Sequence, residues 1–147
     1  MTSNIKKIII KTLTLFGIMP ALYLFGISLI FLFTLSSDLL KNPTLDDLIM
    51  IILILFGICG FVGLSIQLVS NVYEKVKLKI ALLSLSIIGY FSFFTFTNGL
   101  QSWTNIFDSF KNFNENFFEL YFILAPIIIS IILVGINLEI QKNNNLR

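Results

Sequence analysis

Residues Leu48 to Ser70 read LIMIILILFGICGFVGLSIQLVS, a run without a single Asp, Glu, Lys or Arg. At about 1.5 Å per helical residue, such a run crosses the roughly 30 Å hydrocarbon core of a bilayer. No water reaches that layer, so every backbone N–H and C=O must be satisfied within the segment. An open strand would leave them unpaired, and the helix is the conformation left.

Outward from this run, three more have the same character: Thr12 to Leu35, Ile80 to Thr97 and Leu120 to Leu138, all free of ionised side chains. Each of the four covers roughly 18 to 24 residues, a spanning length. The composition requires such a solvent. Of 147 residues, 56% are hydrophobic and 12% charged, against about 25% charged in typical soluble domains. A chain this short, folded in water, exposes too much of its surface to hide that apolar excess. The expected fold is all-α, with four transmembrane helices in a compact bundle forming one domain over residues 1–147. Outer loops are expected at about 36–47 and 98–119, and an inner loop at about 71–79.

Lys6, Lys7 and Lys11 precede the first run, an arrangement shared with secretory signals. The apolar stretch exceeds the roughly 7–15 residues of such a signal, and no Ala-x-Ala site follows, so it reads as an uncleaved span. Pro20 is expected to bend it near Gly17.

Orientation follows from basic residues in short loops. Lys6, Lys7, Lys11, Lys75, Lys77, Lys79, Lys142 and Arg147 share one side, leaving Lys41 and Lys111 on the other. Acidic residues are distributed oppositely, with Asp38, Asp46, Asp47, Asp108, Glu115 and Glu119 outside and Glu74 and Glu139 inside. Both termini are therefore expected in the cytoplasm, with the chain in a bacterial inner membrane. Thr44, with Asp47 three positions on, has the spacing of a capping box that would start the second helix. Phe91 to Thr97 weakens the third span, since β-branched and aromatic residues are modest helix formers. Asn143 to Asn145 are expected to fray.

Three features are candidates for function. Gly57, Gly60 and Gly63 recur every third residue in the second span, and Ser86, Gly89 and Ser92 do so in the third, followed by Thr95. Small residues let membrane helices approach closely. Packing within this chain is the favoured reading, with a contact to a partner or a second copy as the alternative. The serine stripe could also line a narrow wet path. Gln67 and Asn137 lie near inner span ends, where partial hydration is expected.

The third feature is aromatic. Trp103, Phe107, Phe110, Phe113, Phe117 and Tyr121 fall at steps of three and four, which place one aromatic face on a helix over Leu100 to Tyr121. Asp108, Lys111, Asn112 and Glu115 occupy much of the rest. Such an amphipathic interfacial helix before the fourth span is either an aromatic belt, the commoner use, or an outward docking face.

The missing residues narrow the function. There is no histidine, and the one cysteine, Cys59, lies deep in a span with no charge to activate it. A disulfide within the chain and a Cys/His zinc site are ruled out, and no cofactor is expected. Proton- or ion-coupled transport usually keeps an ionisable group at membrane depth, and none is present here. The acidic residue of small multidrug exporters is missing, as are the cysteine pairs of four-helix disulfide oxidoreductases and the aspartates of lipoprotein signal peptidases. A net charge of +2 gives no footprint for nucleic acid. Enzymatic activity is not expected.

In size, helix count and charge-poor spans the chain resembles small multi-pass bacterial immunity proteins, which protect cells from membrane-active toxins. The resemblance is one of architecture, without a shared motif. It implies a non-enzymatic protein whose partners are the bilayer and a membrane or periplasmic protein, or a homo-oligomer. A channel or carrier subunit for a neutral or apolar solute and an accessory factor of a larger complex are the alternatives.

Overall fold

Helix follows the charge-free runs and continues past them. The computed structural model describes residues 3–41, 44–110 and 113–145. Its helices are α1 (Ser3–Lys41), α2 (Leu45–Val69), α3 (Val76–Asn98), α4 (Gln101–Ser109) and α5 (Phe113–Asn145). Among the described residues there is no strand. Four helices, α1, α2, α3 and α5, are long and apolar enough to cross a membrane. The Phe91–Thr97 stretch is helical throughout. Its propensity penalty of a few tenths of a kcal/mol per residue is small beside leaving amides unpaired in hydrocarbon.

The connections are shorter than the charge pattern implies. Helix runs to Lys41 and resumes at Leu45, and the inner connection is only 70–75, so Lys79 sits in α3 rather than in a loop. Helix α5 likewise includes Asn143 to Asn145. Once a helix is nucleated, each further residue adds a hydrogen bond at little cost, so polar flanks join it. At the α2 start the capping spacing is realised: Thr44 Oγ1 accepts from Asp47 N at 3.2 Å, and its hydroxyl donates to the Asp47 carboxylate. Two acids in this first turn, Asp46 and Asp47, complement the positive helix end. At the other end of α2, the Lys79 ammonium donates to Asn71 O at 2.7 Å, a cation placed where helix carbonyls run out.

Helix α1 packs against α2 and α5, and α3 against the same two. Lys6 Nζ lies 3.0 Å from Glu139 Oε1, so the beginning of α1 stands beside the end of α5. That pair is solvent-facing and contributes little energy; its value is in locating both ends of the chain together. Around them Ile10, Leu64, Val72, Leu83, Leu133 and Ile140 form the buried cluster. Away from it the helices present bare apolar surface, with Phe33 80% and Ile30 69% exposed. Such surface suits lipid rather than water.

Helix α1 continues through Pro20, which is buried. Proline has no N–H, so the carbonyl four residues earlier, that of Phe16, loses its helical donor. Tyr121 supplies the replacement: its hydroxyl donates to Phe16 O at 2.7 Å. Tyr121→Phe should cost about 1 kcal/mol, the usual net worth of such a bond. The cost should vanish in a Pro20→Ala background, where the restored amide serves Phe16. Unfolding measured across that double-mutant cycle in detergent tests the pairing.

Candidate functional site

The α2/α3 seam is built from residues with almost no side chain. A Cβ on Gly60 would land on the Ser86 hydroxyl and 2.6 Å from Ser86 Cβ. On Gly63 it would lie 3.1 Å from Leu82 Cβ, and on Gly89 it would meet Phe56 Cβ and come within 3.0 Å of the Gly57 backbone nitrogen. Gly60, Gly63, Ser86 and Gly89 thus come together, and this chain itself covers them. Gly57 differs: a Cβ there meets nothing within 4 Å. Ser92 is half-buried.

Gly57 faces a cavity of about 90 Å³ walled by α1, α2, α3 and α5. Most of the wall is hydrocarbon or aromatic ring, including Phe25, Phe61 and Phe93, and its polar members are Ser28, Ser86, Tyr90 and Ser130. Phe25 and Phe61 stack at 4.6 Å across α1 and α2. The serine stripe of α3 does not form one continuous lining. Ser86 reaches the cavity, whereas Thr95 donates to Phe91 O at 2.8 Å and accepts from the Trp103 indole at 3.0 Å.

A second polar site lies nearer the joined chain ends. Gln67 and Asn137 are fully buried rather than hydrated, and Asn137 Nδ2 donates to Gln67 Oε1 at 3.2 Å and to Leu133 O at 2.8 Å. The core continues past them through Val72 and Ile140, which seal the span ends from water. Gln67 Nε2 and Asn137 Oδ1 have no partner among the described residues.

The aromatic segment is not one helix. Helix α4 ends at Ser109 and α5 begins at Phe113, so Trp103 no longer shares a helical face with Phe117 and Tyr121. Gly99, at φ 74°, ends α3 in a conformation that suits glycine and turns the chain back. Trp103 then stacks on Phe91 at 4.7 Å and meets Phe94 edge-on. Both ends of the aromatic run are thereby committed inward, Trp103 to α3 and Tyr121 to α1. Between them Phe110 is 44% and Phe117 45% exposed, and Phe117 stacks on Tyr121 at 6.2 Å. The neighbouring Phe118, outside the periodic set, is 75% exposed. Lys111 and Asn112, and the side chains of Phe107, Phe113 and Glu115, lie outside the described residues. Helix α4 itself is amphipathic, burying Ile106 and exposing Thr104, Asn105 and Asp108.

Among the described residues no three of His, Cys, Asp or Glu come together. Cys59 is a half-buried free thiol. Sequence reasoning passed over Ser130 and Tyr90, and it expected Gln67 and Asn137 to be partly hydrated rather than buried and paired. An amide inside an otherwise apolar span is itself a signal, because such groups seek a partner on a neighbouring helix. No family model, curated protein or solved structure matches this chain.

Proposed function

We propose that this chain is a non-enzymatic protein of a bacterial inner membrane that acts by binding another protein at its outer surface. In this reading the four spans form a compact bundle with both termini in the cytoplasm, and the partner is a membrane-active toxin, as for immunity proteins. The observation that carries it is the exposure of Phe110, Phe117 and Phe118 in the segment whose Trp103 and Tyr121 are packed on α3 and α1. Rigid aromatic anchors on a supported base are what dominate protein interfaces.

The test pairs this chain with the product of a toxin gene adjacent to its own. Co-expression is expected to restore growth to toxin-exposed cells. Alanine at Phe110, Phe117 and Phe118 together should abolish protection at unchanged membrane levels. Full protection by the triple variant removes the patch from the mechanism. Orientation is checked separately: alkaline phosphatase fused after Arg147 should be inactive, and after Gly99 active.

A carrier for a neutral or apolar solute is the second reading. It is favoured by one observation, the apolar cavity among the four spans.

A further inference from the structure

The cavity has a defined chemistry. Among the described residues no Asp, Glu, Lys or Arg lines it, so a charged group placed there would be desolvated without a counter-ion. Its wall is mostly apolar, and its volume is about 90 Å³. Along α1 the lining extends from Ala21 to Phe31, about 15 Å at 1.5 Å per residue. A space of that size drawn out over that length is narrow, which favours a slim chain over a ring.

Of the four polar residues in the wall, one stands out. Ser130, in the α5 wall, is 1% exposed, and its hydroxyl has no partner among the described residues. Several other hydroxyls in these helices bond to their own backbone. Thr14, Ser65 and Thr95 each donate to the carbonyl four residues back. In Ser130 that bond is not made, and a buried polar group left unpaired is costly. Gly57 adds a second sign of an open site, since its missing side chain leaves space that no protein atom fills.

We propose that this cavity binds a slim, uncharged amphiphile, a single unbranched hydrocarbon chain ending in a hydroxyl or similar neutral group. The polar end bonds Ser130, and the chain runs outward past Gly57 and Phe61 toward Phe31 and Phe93. The bilayer is the reservoir from which it partitions. This site is separate from the outer aromatic patch, and its failure would leave the partner-binding reading intact.

The test uses the full chain in phosphatidylcholine vesicles with a diazirine-bearing octanol as photoprobe. Saturable labelling is expected on the cavity stretches of α2 and α3, suppressed by excess plain octanol. Gly57→Leu, which fills the space without a clash at its Cβ, should lower cavity labelling at least tenfold. Ser130→Ala should lower apparent affinity about threefold to tenfold, as expected for one hydrogen bond. Helical circular dichroism verifies that each variant folds, and Ser130→Ala carries the test if Gly57→Leu does not. Labelling confined to lipid-facing residues such as Ile30 and Ile131, or unchanged by Ser130→Ala, overturns the proposal. So does cavity labelling by a diazirine-bearing phosphatidylcholine but not by the octanol, which would assign the space to a lipid tail.

Discussion

Gly89→Val should separate α2 from α3 and remove most of the folded protein from a detergent extract. Even the first added carbon meets Phe56 Cβ and comes within 3.0 Å of the Gly57 nitrogen. The obstacle is partly backbone, so no rotamer change relieves it and the helices must move apart. Overpacking of this kind costs about 1–3 kcal/mol and occasionally more. Here the upper end applies, because the displaced contact runs along the Gly60–Ser86 seam as well. Close approach is also the main source of helix association where lipid is as apolar as the side chains. Gly57→Ala is the control. It has open space at the same depth and should change stability little, or raise it by up to about 1 kcal/mol through helix propensity. Reversible unfolding in mixed micelles compares the two, and equal behaviour would show that the seam is not close-packed.

Asn137→Leu should destabilise the bundle by about 2 kcal/mol, within the range for leaving a buried polar group unsatisfied. The substitution removes the donor to Gln67 Oε1 and strands a second amide already lacking a partner at Nε2. Gln67→Leu should cost a similar amount. The double variant should recover most of the loss, because with both amides gone no polar group remains to be desolvated. Additive losses in the same unfolding assay would mean that the two amides act independently.

How much of this was readable beforehand differs from element to element. The four long helices follow from the charge-free runs, because excluding water leaves the backbone one way to satisfy itself. The start of α2 was equally legible, since Thr44 and Asp47 act within one turn. The break between α4 and α5 was not. Steps of three and four from Trp103 to Tyr121 suit one helix, yet α4 ends at Ser109, and Trp103 is held against Phe91, Phe94 and Thr95 on α3.

The site shows the same division. Residue types alone determined a helical chain with four stretches long and apolar enough to cross a membrane. Tertiary structure alone decided that Gly60 meets Ser86, that Gln67 meets Asn137, that Tyr121 serves the carbonyl freed by Pro20, and that Gly57 and Ser130 border one cavity. The reason is the solvent. In water a helix marks its inward face by the contrast between apolar and polar residues. In hydrocarbon both faces are apolar, so the sequence carries little trace of which side meets which neighbour.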